Sequence, residues 1–206
     1  MGCKKNKKLP MTSRHEITRA DILGMEDYAA ARPERKRAVA ELKKHRRVAV
    51  GPDATFYFES YDTMLHQVHE MLYIEKGGEQ QIEDELRAYN PMIPNGRELV
   101  ATLMFEIDEP GRRAEFLAGL GGVEEMVTLT LNGETITATP EHDVDRTTAA
   151  GKASSIQFLH FAFTDAQVEK FRTPDAQVTI AIGHQKYGHL AVLPEAVRQA
   201  LAQDFY

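Results

Sequence analysis

Between Asp62 and Lys76 the chain places His66, His69 and Glu70 at positions i, i+3 and i+4. Helix neighbours at three and four share a face, and two imidazoles with a carboxylate there can grip a divalent metal. Such a centre needs another ligand from elsewhere. His184 and His189, near the end of an apolar segment, are the obvious donors. A metal-dependent enzyme centred on Glu70 with His66, His69 and His184 is therefore one reading. The competing one is a polar helix face on which His66 and Glu70 simply pair. A dinuclear iron bundle does not fit, because it needs a Glu three residues before a His, twice. No His in this chain has Glu at that position.

Other chemistry-bearing stretches carry less. Lys43-Lys44-His45-Arg46-Arg47 closes a predicted helix, where cations oppose the negative end of the dipole. The sharper reading of that cluster is a nucleic-acid site, although no aromatics interleave its basic residues as single-strand binding requires. Glu141, His142, Asp143 and Asp145 form an acidic loop without the spaced ligands of a calcium loop. Gly119, Gly121 and Gly122 lack the Lys-Ser/Thr ending of a phosphate loop. Ser154-Ser155 lies on no Gly-x-Ser-x-Gly elbow. Cys3 sits in the leader, a poor place to hold a nucleophile against a base. His160 alternates with Ile156, Phe158 and Ala162 and reads as a satisfied core histidine.

The elements that must position these residues follow from periodicity. Thr18 caps a short turn with Asp21 at its third position, as in a capping box. Pro33 suits the first turn of a helix running to about Arg46. Val48 to Val50 is a short β-type run, and Ala54 to Phe58 alternates as a half-buried strand. Residues 61–76 and 79–89 return to helical spacing, the second segment stopping before Asn90-Pro91. Leu99 to Ile107 alternates cleanly. Pro110 to Leu120 is a short helix ended by Gly121-Gly122. Met126 to Leu131 and Glu134 to Thr139 flank Asn132-Gly133, the strongest short hairpin signal. Ser155 to Phe163, Val178 to Gly183 and Leu190 to Leu193 complete the strands, and Pro194 opens a last helix with Val197 and Leu201 inward.

The predicted fold class is α+β: a single domain with a mostly antiparallel sheet of about seven strands and helices packed on it. Residues 1–17 read as a disordered basic leader and 18–206 as the domain. With 42% hydrophobic residues a real core can form, and no apolar run is long enough to cross a bilayer. One cysteine excludes an internal disulfide. The net charge of −6 hides a split. Residues 1–47 hold 14 Lys and Arg against 6 Asp and Glu, while the remainder is strongly acidic. The start is basic without an apolar stretch behind it, so the chain reads as cytoplasmic.

Several short motifs are specific in order and spacing. Arg46 to Pro52, Phe58-Glu59, Asp62-Thr63, Gln67 and Glu70-Met71 form an N-terminal set. Tyr89-Asn90-Pro91, Pro94, Gly96, Glu98-Leu99 and Ala101 to Leu103 form a middle one. Lys152 to Ser155, Phe158-Leu159, Gly183-His184 and Tyr187 form the last. In these the chain resembles the bacterial family named domain of unknown function 3501, over roughly residues 18–193. The family brings no established activity. Its genes often neighbour those for rubrerythrin-like proteins and iron–sulfur oxidoreductases, so the resemblance implies a role in redox or peroxide defence and those proteins as partners. His66 and His69 depart from the family pattern, whereas Gln67 and Glu70 fit it. The resemblance thus implies a shared site of Asp62, Gln67, Glu70, Tyr89, Asn90, His184 and Tyr187 rather than a metal centre: either a small-ligand site or a buried polar network that fixes the fold. The resulting expectation is a non-catalytic accessory or small-ligand-binding protein, with no cofactor specified. The metal-dependent enzyme and the nucleic-acid binder through Lys43 to Arg47 are its alternatives.

Overall fold

The computed structural model describes residues 14–141, 147 and 151–206. The described chain is an α+β domain with two antiparallel sheets. In chain order the main elements are α1 (Met25–Lys43), β1 (Arg47–Val50), β2 (Ala54–Phe58), α2 (Tyr61–Glu75), α3 (Glu79–Tyr89) and β3 (Glu98–Phe105). They continue with α4 (Pro110–Ala118), β4 (Val127–Leu131), β5 (Glu134–Thr137), β6 (Thr139–Pro140), β7 (Ile156–Ala162), α5 (Asp165–Arg172), β8 (Val178–His184), β9 (Tyr187–Val192) and α6 (Glu195–Leu201).

The first sheet has the order β1-β2-β3-β7-β6, and the second β5-β4-β8-β9. The expected single sheet of about seven strands is thus two sheets with nine strands. The segment 134–140 explains part of the difference. β5 pairs with β4, the Ala138 N–H reaches the Val127 carbonyl, and β6 then pairs with β7 in the other sheet. One extended stretch therefore serves both sheets.

The two sheets face one another across the main core, which holds Phe56, Phe58, Leu103, Leu129, Phe161 and Ile180. β3 shows why the first sheet is central. Leu99, Ala101, Leu103 and Phe105 enter that core, while Val100 joins a second core built from α2, α3 and the segment before α1. Both faces of β3 are covered, so its alternation is one of destination rather than of apolar against polar. The Asn132-Gly133 turn has positive φ at both residues, 47° and 87°, as the twist of a tight hairpin requires.

Two boundaries differ from expectation. Helix α1 begins at Met25, so Pro33 lies inside it rather than at its start. The missing N–H frees the Ala29 carbonyl, and Ala29 and Pro33 are both exposed, so water can satisfy that group. Residues 14–17, assigned to the leader from sequence, are placed: Ile17 is buried against the second core, and its main chain is clamped by Asn90. Cys3 and the loop residues His142, Asp143 and Asp145 lie outside the described residues.

Candidate functional site

Helix α1 has little apolar character, yet it lies against α2 along one face. That face is the stripe Tyr28, Arg32, Arg35, Val39 and Leu42, spaced by three and four residues. Its first half is polar, and it meets the histidine–glutamate face of α2.

Glu70 is at the centre of that meeting. Arg32 grips its carboxylate through both nitrogens, Nε to Oε1 and Nη2 to Oε2, each at 2.8 Å. The Tyr28 hydroxyl donates to Oε1 at 2.6 Å. The Arg32 guanidinium also covers the Tyr73 ring, 4.7 Å from its centroid. Hydrogen bonds from Arg32 outweigh the burial penalty and hold the Glu70 carboxyl at about 2. Burial, reinforced by Glu70, drives the Tyr28 phenol well above its ordinary value.

His69 is fully buried and stacks on Tyr28, with centroids 4.7 Å apart. Its Nδ1–H donates to the Leu65 carbonyl at 2.7 Å, and its Nε2 accepts the Leu23 N–H at 3.0 Å. Those two partners assign the neutral tautomer with the proton on Nδ1. Burial lowers its pKa, consistent with that state. No ring nitrogen remains for a metal.

His66 lies beside the network, its Nδ1 3.4 Å from the Tyr28 oxygen. The Tyr28 proton is committed to Glu70, so at this contact the phenol oxygen accepts and His66 Nδ1 carries the hydrogen. Burial lowers the His66 pKa, which keeps it neutral near pH 7. Among the described residues nothing donates to its Nε2 lone pair. It borders a groove of about 390 Å³ between α1 and α2, lined by Arg35, Ala38, Val39, Leu42, Asp62, Leu65 and His66. Among the described residues neither Arg35 nor Asp62 makes a hydrogen bond or ion pair of its own.

The residues expected to form one site separate into three places. Asp62 is on the groove, and Glu70 is behind it. Gln67 contacts Tyr89, whose phenol is raised chiefly by burial. Asn90 holds the Ile17 main chain, its Oδ1 accepting the N–H at 2.8 Å and its Nδ2 donating to the carbonyl at 3.0 Å. His184 and Tyr187 belong to the β8–β9 hairpin. The Tyr187 hydroxyl donates to the Val50 carbonyl at 2.8 Å and accepts the Asp53 N–H at 3.0 Å. The His184 Nδ1 accepts the Lys186 N–H in its own turn. Among the described residues no hydrogen bond or ion pair joins this hairpin to Glu70. The proposed grouping of His66, His69 and Glu70 with His184 is not assembled. Among those residues no cluster of three His, Cys, Asp or Glu side chains has metal-binding geometry.

The basic cluster is likewise divided. Arg46 is buried, ion-paired with Asp204 and bonded to the carbonyls of Phe58 at 3.0 Å and Glu59 at 2.7 Å. Lys44 is paired with Glu41 at 2.7 Å. Arg46 is therefore a tie between the first sheet and the C-terminus, not a phosphate ligand, while Lys44, His45 and Arg47 are exposed. His160 is satisfied, as its strand position suggested. Its two nitrogens lie 3.1 Å from Glu98 and 3.0 Å from Glu141. Those two carboxylates were not foreseen.

Sequence reasoning missed Tyr28, Arg32 and Arg35. Their signal was the continuation of the Val39–Leu42 stripe toward the N-terminus in polar residues.

No helix among the described residues is long and apolar enough to cross a membrane. No curated protein matches the chain. A crystal structure of a novel protein of unknown function from Burkholderia pseudomallei K96243 is similar throughout. It shares 35% identity at a TM-score of 0.85, over 92% of this chain and 99% of that one. The family model described as protein of unknown function DUF3501 matches residues 16–205. The chain belongs to that family.

Proposed function

We propose that this protein binds a small ligand in the α1–α2 groove and serves as a non-catalytic accessory protein of cytoplasmic redox or peroxide-defence metabolism. The observation that carries the reading is the groove's set of uncommitted groups. Arg35 offers a cation, Asp62 an anion and His66 a lone pair, around a floor of Ala38, Val39, Leu42 and Leu65. A few convergent polar groups over an apolar floor are what a small-molecule site requires. The ligand that matches is an amino acid or hydroxy acid with an apolar side chain. Its carboxylate meets Arg35, its amine or hydroxyl donates to Asp62 and His66, and its side chain lies on the floor.

Binding is favoured over catalysis by the state of the neighbouring groups. A general acid or base works best with a pKa near the operating pH. Glu70 is held near 2 and Tyr28 is pushed far up, so neither exchanges a proton readily at neutrality. The redox setting rests on the family resemblance, which also makes rubrerythrin-like and iron–sulfur proteins the partners to seek.

The test is calorimetric titration with a panel of apolar amino acids and hydroxy acids. At least one is expected to bind, with the heat lost in Arg35→Ala and Asp62→Asn. No heat from any member at about 1 mM, a level that would reveal even weak binding, refutes the ligand. Failure of tagged protein to bring down either redox partner removes the accessory role.

A further inference from the structure

The second sheet has an open edge, and its outer surface carries no charge. Tight turns close the β4–β5 and β8–β9 hairpins at Leu131–Glu134 and His184–Tyr187. In an antiparallel ladder, hydrogen-bonding direction alternates residue by residue. The bond from Leu193 N–H to the Val178 carbonyl fixes the phase. Tyr187, His189 and Ala191 turn their main-chain groups to β8. Gly188, Leu190 and Val192 turn theirs outward, and among the described residues nothing pairs with them.

Side chains follow the same alternation. Tyr187 is buried, and Ala191 packs against the main core. Leu190 is 67% exposed and Val192 64%. Across the outer face, Leu190 stands in register with Ala181 and Thr128, and Val192 with Thr179 and Thr130. In a chain with 27% charged residues, these rows hold none.

Natural edge strands are blunted by lysine, proline, a bulge or a covering element. The strand Tyr-Gly-His-Leu-Ala-Val has no Lys or Pro, and its ladder with β8 is unbroken. We propose that β9 pairs antiparallel with β9 of a second copy, about a two-fold axis at Leu190, to make one continuous eight-stranded sheet.

Three features select a second copy over another partner. The strand is uncharged, so it is its own electrostatic complement, whereas the rest of a chain with net charge −6 repels itself. The two-fold register sets Gly188 opposite the partner's Val192, leaving room for its branched side chain. It also sets Leu190 beside the partner's Leu190. Pairing then ends at Pro194, which has no N–H to donate. Gly188, Leu190 and Val192 of the two strands form about six inter-chain hydrogen bonds.

The test is sedimentation equilibrium of the full chain, together with hydrogen exchange. A dimer is expected at about 100 µM, where a micromolar Kd leaves little monomer. The Leu190 and Val192 amides should be protected there and exchange freely on dilution. Leu190→Glu places two like charges at the axis and should abolish the dimer peak. Its melting midpoint, compared with wild type at a dilution where both are monomers, should not change, because the side chain is exposed in the single chain. Val192→Lys should weaken the dimer independently. A monomer at all concentrations overturns the proposal. So does a dimer that keeps fast exchange at Leu190 or survives Leu190→Glu, including one with an unrelated protein bound at this edge. None of these readouts depends on the groove or its ligand.

Discussion

Replacing Glu70 by Gln isolates the charge that ties α1 to α2. The substitution keeps the side chain's volume and still lets Tyr28 donate to an oxygen, but it removes the anion facing Arg32. The Glu70 carboxyl lies at about 2 against an ordinary 4.5. At about 1.4 kcal/mol per pKa unit, that shift corresponds to about 3 kcal/mol of folding free energy. Arg32 is 29% exposed, so water screens the pair and about 2 kcal/mol is the better figure. The folded-state pKa is depressed, so the contribution is complete above 4.5 and vanishes as pH falls toward 2. Urea unfolding of wild type and Glu70→Gln between pH 7 and pH 3 measures it. The gap should be about 2 kcal/mol at neutrality and close progressively below pH 4.5. His66 and His69 also destabilise the fold in acid, since burial lowers both pKa values. His69 cancels in the difference, whereas the His66 pKa is raised by the Glu70 charge, so its penalty in acid is larger in Glu70→Gln and offsets part of the closing. A gap that is negligible at pH 7, or one equally large at pH 3, would refute the reasoning.

The second and third predictions concern the sheets. His160 faces Glu98 and Glu141, and the Glu98 hydrogen bond leads in raising its pKa. Its stabilisation should be complete below the ordinary histidine value and fade as pH rises through the raised one. His160→Gln should therefore lose stability at pH 5.5 and lose less by pH 9 in the same urea assay. Gly51 has φ +73°, and a Cβ there would stand 2.7 Å from the His189 ring and the Tyr187 hydroxyl. Gly51→Ala should cost about 1–3 kcal/mol, from positive-φ strain and displacement of the Tyr187 clamp. An unchanged denaturation midpoint would show that the turn relaxes freely.

What the sequence disclosed follows the range of the forces involved. Strand β3 and the Asn132-Gly133 hairpin are local patterns, and the structure has them where periodicity and turn chemistry put them. The partition into two sheets was invisible because inward-facing residues of either sheet alternate alike. The passage from β5 to β6 reads as a single strand until its partners are known. Helix α1 failed for a different reason. The sequence reading starts the helix at Pro33, ahead of the narrow stripe of Ala38, Val39 and Leu42, since Tyr28, Arg32 and Arg35 look like solvated residues. They are inward because α2 presents Glu70 and His66 opposite them, and that complementarity lies about 40 residues away in the chain. The same blindness joined His184 to Glu70. Both were recognised as family residues, but spacing along a chain says nothing about which of two cores a residue enters.

The polar character of the α1–α2 contact also bears on why a groove exists there. Two helices joined by a full apolar stripe pack ridge into groove and close the space between them. Here only Val39 and Leu42 supply such packing from α1, together with Leu65 from α2. At the other end, the bidentate Arg32–Glu70 pair and the Tyr28 hydroxyl set the helix separation by hydrogen-bond length rather than by side-chain volume. The ring of Tyr73 beneath Arg32 keeps that guanidinium in place. His66 touches the network on one side and the groove on the other, so its tautomer is set by a proton already committed to Glu70. A fixed acceptor facing an open, partly apolar space is preorganised for a donor on a ligand, and the cost of aligning it has been met by the fold.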